Sequence, residues 1–301
     1  MLFSVLTDRA IEKRSYGIKM PRIDVEFMVN LPIPVPPISE LRFIVDRVQS
    51  AFLYIDTIDE LQTKYADNLS ALKSKLIDLA IQGKLTKQLP EDGTAEELYQ
   101  QIQEEKQELI KAGKIKKEKP LPPISEDEIP FEIPRNWKWV RWGNLSFQIQ
   151  YGYNAPAKEK GRVRMVRITD IQNNRVVWQT VPFCDIDEKN IDEYLLRPNN
   201  ILFARTGGTV GKSYLVENVE ENAVFAGYLI RTSFSANLIA KYMKFFMESR
   251  LYWKQLQDGT TATAQPNCNA KTLSEMLFPL PPLAEQKRIV EKLEEVLAVC
   301  D

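Results

Sequence analysis

The sequence predicts a mixed α/β protein of the α+β kind, with one globular domain joined to long helices of coiled-coil type. Three observations carry this. A heptad-patterned stretch runs from Ile38 to Gln82 without glycine or proline. Short strand-like runs begin at Trp137. A 24-residue motif occurs twice and brackets the region between its copies.

Residues 33–56 and 278–301 align without a gap at an offset of 245, with seven of 24 positions identical, among them Pro36/Pro281, Pro37/Pro282, Glu40/Glu285, Ile44/Ile289 and Val45/Val290. Two copies cannot stack into a solenoid, so they are expected to flank one domain and open a helix on each side of it. In the first helix Ile44, Ala51, Ile58, Tyr65, Leu72 and Leu79 lie seven apart, as do Val48, Ile55, Gln62, Leu69 and Leu76. Together they make an a/d seam with one polar position, and 36 residues of it would extend roughly 54 Å at 1.5 Å each. Ser39 is expected as the N-cap and Gly83 as the residue past the end. The second copy repeats the register through Ile289, Leu293, Val296 and Cys300.

A capping box of Thr94 and Glu97 predicts a second helix from Ala95 to Lys111, ended by Gly113. The segment after it, KIKKEKPLPPISEDEIPFEIP, reads as a linker. Its lysines could touch phosphate, although a solvated helix end is the plainer reading. Strands are expected within 137–142, 162–168, 175–181, 200–205, 212–216 and 223–234, followed by one helix over 238–257. The resulting partition is 1–37, 38–82, 83–134, 135–277 and 278–301.

Composition narrows the function. The chain has 301 residues, no histidine and a formal net charge of −1. Histidine-based triads, dyads, metal sites and acid–base catalysis are excluded. A globally basic nucleic-acid binder is excluded too, but from Phe131 to Pro282 there are 19 Lys plus Arg against 14 Asp plus Glu, a local net of +5. Cys184, Cys268 and Cys300 are far apart, so neither a disulfide framework nor a zinc site is indicated, and free thiols suit a reducing cytosol. The start of the chain charges too quickly for a signal peptide, and no apolar run of ~18 residues is present.

Three loops carry the candidate binding residues. The run 200–216 delivers Arg205 into Thr206-Gly207-Gly208-Thr209, with Lys212 following; exposed N–H groups, hydroxyls and cations suit phosphate. It misses a P-loop, because Thr206 stands where the first glycine belongs and a strand, not a helix, follows Lys212. A tight turn between strands is the structural alternative. The run 151–174 offers Tyr151, Tyr153, Asn154, Lys158, Lys160, Arg162, Arg164 and Asn174, types that hold phosphates or read base edges, or else form a charged strand face. The run 259–271 offers Thr260, Thr261, Gln265, Asn267, Asn269 and Lys271, for contacts or for plain turn chemistry. Signatures of adenine methyltransferases are missing, and Asp187-Glu188-Lys189 lacks the upstream acid of a nuclease set.

The segments 278–301, 71–85 and 90–98 resemble the conserved helices of specificity (S) subunits of Type I restriction–modification systems. The stretches IPRNWKWVRWGNL (133–145), RITDIQ (167–172), ILFARTGGTVGKSYLV (201–216) and TATAQPNCNAKTL (261–273) resemble a target recognition domain of that family. The likeness covers about 280 residues, with several motifs in order. It implies a noncatalytic reader of double-stranded DNA in the prokaryotic cytoplasm. Its partners would be methyltransferase (M) subunits carrying S-adenosylmethionine and restriction (R) subunits using ATP and Mg; the chain itself would hold no cofactor or metal. A complete member resembles two recognition domains separated by two long antiparallel helices that fix the spacer of a split site. Here residues 1–37 resemble only the tail of a first domain, so the chain is expected to be a half-subunit that could restore two domains by homodimerising through its helices. Two further readings stay open: a coiled-coil scaffold without DNA, and a remnant that competes for M subunits.

Overall fold

A computed structural model of the chain describes residues 25–30, 35–172, 175–219, 221–259 and 267–299. Most of the expected N-terminal tail, together with Cys300, lies outside them. The chain divides into two units, residues 1–66 and 67–301.

A short helix, α1 (Val25–Val29), precedes a 44-residue helix, α2 (Ile38–Ile81). Helix α2 opens directly after Pro37, whose carbonyl accepts the Leu41 N–H at 2.9 Å. Ser39 is therefore inside the first turn and not the N-cap, a correction made by the proline pair. At the other end Gly83 takes φ +70°. Its N–H donates to Ala80 O and that of Lys84 to Leu79 O, which closes a Schellman turn. The a/d residues Ile44, Val48, Ile55, Ile58 and Tyr65 are exposed, as are Ala51 and Gln62; Leu69, Leu76 and Leu79 are half-buried and Leu72 is exposed. The helix buries Ile77, Ala80 and Ile81 instead, a stripe beside the heptad seam. Its last turns meet the core of their own unit on that stripe.

A 3-10 turn at Pro90–Asp92 leads into α3 (Ala95–Lys111), capped by the reciprocal Thr94 and Glu97 bonds. The β-rich domain then runs β1 (Lys138–Arg141), α4 (Trp142–Leu145), β2 (Ser146–Tyr151), β3 (Val163–Val166), β4 (Ile171–Gln172), β5 (Arg175–Val176), β6 (Phe183–Cys184), α5 (Glu188–Tyr194), β7 (Ile201–Ala204), β8 (Ser213–Leu215), β9 (Ala223–Phe225) and β10 (Leu229–Phe234). It closes with α6 (Ala240–Phe246), α7 (Arg250–Gly259), α8 (Ala270–Glu275), β11 (Leu277–Leu280) and α9 (Leu283–Ala298). The main sheet has the order β2-β10-β7-β8 and is antiparallel. A second sheet, β6-β3-β9, contains the parallel pair β3 and β9, and β1 forms a ribbon with β11. This is the α+β architecture expected.

Four departures have local causes. The apolar run 223–234 breaks at Ala226-Gly227-Tyr228, because β9 belongs to one sheet and β10 to the other. The run 175–181 is strand only at Arg175–Val176 and turns into a 3-10 helix at Trp178–Thr180. The helix over 238–257 is two helices, since the buried Ser249 hydroxyl donates to Phe246 O at 2.7 Å and accepts the Tyr252 N–H at 3.2 Å. Finally, the proline-rich lead-in to the second repeat is strand β11, where Pro279 sits on a two-stranded ribbon that spares it a donor's role.

One core lies between β2, β7, β10 and the helices. Trp142, Tyr242, Phe246, Tyr252 and Phe278 are fully buried there, with Trp142 stacked on Phe246 at 5.6 Å. The repeat motif behaves differently in its two settings. Both helices begin at equivalent positions, Ile38 and Leu283. Glu285, Ile289, Val290 and Leu293 are buried, whereas Glu40, Ile44, Val45 and Val48 are exposed. Glu285 accepts hydrogen bonds from Trp137 Nε1 at 2.7 Å, Gln88 Nε2 at 2.8 Å and Thr86 Oγ1 at 3.2 Å, tying two distant segments to the start of α9.

Candidate nucleic-acid interface

Three chain segments meet where β2 and β7 end. Arg205 follows β7, and its guanidinium lies over the Tyr151 ring at 4.6 Å from the centroid. Tyr151 is held in turn, because its hydroxyl accepts the Ala270 N–H at 3.0 Å. The Arg205 carbonyl accepts the Cys268 N–H at 3.0 Å, and Thr206 bridges to Asn267. The Arg205 N–H donates to the carbonyl of Tyr228 at 3.1 Å. Backbone pairing thus fixes the loop, with Arg205 and Thr206 half-buried in it.

The Thr/Gly loop is a 3-10 turn at Gly207–Thr209. Gly207 takes φ +76°, which only glycine adopts without strain. A Cβ placed at Gly207 or Gly208 would meet nothing within 4 Å among the described residues. The far side of the loop is locked: Gly211 packs on Trp253 and Leu256, and its carbonyl accepts the Tyr252 hydroxyl at 2.6 Å. Lys212 is exposed.

Arg205 has no carboxylate partner among the described residues, and its buried Nε makes no hydrogen bond among them. The Cys268 thiol lies beside it, and burial pushes that thiol up to about 12 against the pull of the Arg205 charge. It is a neutral packing group, not a nucleophile. Asn267 and Lys271 are exposed at the same place, while Asn269 is the N-cap of α8, its side chain accepting the Thr272 N–H at 2.9 Å. That role is turn chemistry. Lys271 pairs with Glu275 at 3.7 Å and stays largely open.

The cations along β3 are arranged otherwise. Lys158 pairs with Asp185 at 2.5 Å, Arg162 with Glu188 at 3.5 Å and Arg164 with Glu221 at 2.9 Å. Arg164 also stacks over Phe183 and donates to Val181 O. Tyr153 is half-buried against Tyr194 at 5.2 Å and belongs to the packing of the second sheet. Asn154 and Lys160 are exposed. Of the residues singled out in sequence, Gln265, Thr260, Thr261 and Asn174 lie outside the described residues. The structure therefore brings Tyr151, Arg205, Thr206 and Asn267 into one cluster and leaves Lys158, Arg162 and Arg164 in ion pairs.

Two residues escaped the sequence reading. Tyr228 is 69% exposed at the turn between β9 and β10, beside Arg205. An aromatic next to Gly227 inside an apolar run is the only trace of it in the sequence. Arg231 is buried and donates to Leu195 O, Glu193 O, Gln148 Oε1 and Gln150 Oε1, a set of neutral acceptors. Burial pulls its guanidinium down to about 10. It fastens α5 to the main sheet. Among the described residues no acidic or thiol cluster is arranged to hold a metal ion, and no helix is long and apolar enough to cross a membrane.

Residues 134–301 match the family described as Type I restriction modification DNA specificity domain. The chain is 28% identical over 345 residues to the Type I restriction enzyme EcoAI specificity subunit of Escherichia coli, covering 99% of this chain and 57% of that protein. The EcoEI specificity subunit of E. coli is 28% identical over 352 residues with the same coverage, and the MjaVIII specificity subunit of Methanocaldococcus jannaschii is 24% identical over 298 residues, covering 97% and 61%. The chain thus spans a little under two thirds of the length of these relatives. In fold it is similar to a chain from a structural study of complex assembly in a type I R-M system, with TM-score 0.62 at 18% identity over 98% of this chain and 61% of that one. It is also similar to the HsdS subunit from Thermoanaerobacter tengcongensis, with TM-score 0.52 at 17% identity over 97% and 60%. With more than half of its length matched and the same β-rich domain and long helix, the chain belongs to the Type I restriction–modification DNA specificity family.

Proposed function

We propose that this chain reads a specific sequence of double-stranded DNA and directs Type I M and R subunits to it. The observation that carries the reading is the cluster at the end of β7: Arg205 stacked on Tyr151 with no carboxylate partner among the described residues, beside two glycines that no described residue crowds. Arg presents a rigid fork of donors that suits a guanine edge or a phosphate, and stacking on tyrosine pre-orients that fork. Open glycines admit close approach of a sugar–phosphate backbone. Asn267, Thr206, Lys212 and Lys271 supply further donors around it. Adenine methylation and DNA cleavage belong to the partners, with S-adenosylmethionine on M and ATP and Mg on R.

The exposed apolar stripe of α2 supports a second role, in assembly. Ile44, Val48, Ile55 and Ile58 in water favour burial against another helix, in an M subunit or in a second copy of this chain. A two-fold pair of such chains would present two recognition domains to a palindromic split site. The complex is expected to act in the prokaryotic cytoplasm.

The test is selection from a random duplex pool by the full chain together with its methyltransferase. Enrichment of one motif, lost on Arg205→Ala while the complex stays assembled, is expected. A complex that assembles but enriches nothing would leave a scaffold as the function.

A further inference from the structure

Most cations of the β-rich domain are neutralised within the chain: Lys158, Arg162, Arg164 and Arg167 each face a carboxylate. A second unneutralised group lies outside the recognition loops. Residues 111–119 hold five lysines, Lys111, Lys114, Lys116, Lys117 and Lys119, all exposed. None of them makes an ion pair among the described residues, and the one acid in the run, Glu118, lies 3.9 Å from Lys106.

This run is tied to the same short helix as the recognition cluster. Past the last lysine, Pro120, Pro122 and Pro123 keep the backbone extended. Arg141 then clamps it, donating through Nε to Pro122 O at 2.7 Å and through Nη2 to Pro123 O at 3.2 Å. The same guanidinium donates through Nη1 to Glu275 O at 2.8 Å, at the end of α8. Leu121 and Ser274 both crowd Gly143, within 3 Å of where a Cβ would stand. The first residue of α8, Ala270, binds Tyr151 of the cluster. Six helical residues, about 9 Å, separate clamp from cluster. Lys119 precedes the clamp by three residues, at most about 10 Å of chain. With the Arg141 and Tyr151 contacts added, Lys119 therefore stands at most about 35 Å from Arg205, about ten base pairs at 3.4 Å each, and Lys114 at most about 17 Å of chain beyond it.

We infer that Lys114, Lys116, Lys117 and Lys119 form a phosphate-gripping strap on the duplex flanking the read sequence. The strap adds affinity without sequence preference. Lysines that leave the closing turn of α3 and continue along a segment without secondary structure, with no ion pair of their own among the described residues, suit a uniform row of phosphates, and ammonium groups hold phosphate as point charges with no base readout. The inference rests on the DNA-reading function proposed above.

The test replaces all four lysines by glutamine in the full chain and measures affinity for selected and for random duplex DNA across a salt series. Both affinities should fall by the same factor, roughly tenfold or more at ~0.1 M salt, and the salt slope should become shallower by about three. The ratio between the two DNAs should not change, and four arginines in place of the lysines should restore affinity. Unchanged affinity and slope would overturn the strap. So would a loss confined to the selected sequence, which would make these lysines base readers. Intact DNA binding with loss of a co-purifying subunit would assign the run to a protein and equally overturn it. Wild-type binding without preference would sink the recognition reading and leave the strap measurable in the slope; no DNA binding at all would sink both.

Discussion

Arg205 is placed by its surroundings: backbone bonds hold its loop, a tyrosine holds its plane, and no carboxylate pairs with it among the described residues. Arg205→Ala should lower discrimination for the selected sequence by about 1–3 kcal/mol, and Arg205→Lys should recover little, because lysine has no fork to stack. Competition binding against single-base variants reads this directly. With no histidine in the chain and the Cys268 thiol pushed up to about 12, the cluster's charge rests on arginine and lysine. DNA affinity should accordingly stay flat from about pH 6 to pH 9. Arg231 has the opposite task. Arg231→Met would strand four partly buried acceptors, so a loss of about 2 kcal/mol in denaturant unfolding is expected. Arg205 was legible because a strand delivers it into a Thr/Gly loop. Arg231 was not, because nothing in LIRTSF tells a buried arginine from an exposed one until the neighbouring strand β2 supplies Gln148 and Gln150.

Helices and strands in this chain end for reasons of uneven visibility. Thr94, Gly83 and Gly113 announce their ends in the sequence, and the capping residues do what those types do. Ser249 and Pro279 mislead: a serine inside an amphipathic run reads as tolerated, and FPLPP reads as a helix lead-in until β1 lies beside it. Docking between elements is less visible still. Arg288 meets Asp92 through two 2.6 Å bonds, joining α9 to the 3-10 turn before α3. The hydrogen bond from Arg288 holds the Asp92 carboxyl below its ordinary 3.8. Its stabilisation is therefore full above that value and is lost as pH falls below it through the folded pKa. Asp92→Asn should cost about 2 kcal/mol near neutrality and progressively less in acid below that range, measured by denaturant unfolding across pH.

The molecule as a whole carries its apolar surface unevenly. The β-rich domain was legible in kind, since alternating short runs bounded by turns require sheets, but its division into separate sheets depends on Gly152 approaching within van der Waals distance of Ala226, which no local pattern encodes. The exposed a/d stripe of α2 predicts concentration-dependent association in sedimentation, and Ile55→Glu with Ile58→Glu should abolish it without moving the thermal unfolding of the domain. The repeated motif makes this measurable without any substitution. Ile44 and Ile289 are the same residue in the same register, one in water and one at 0% exposure. Their amide protons form a built-in clock pair: the Ile289 N–H should exchange with deuterium only on global opening, the Ile44 N–H by local fraying. As a partner covers the first helix, the faster clock should slow toward the other, timing assembly from within one polypeptide.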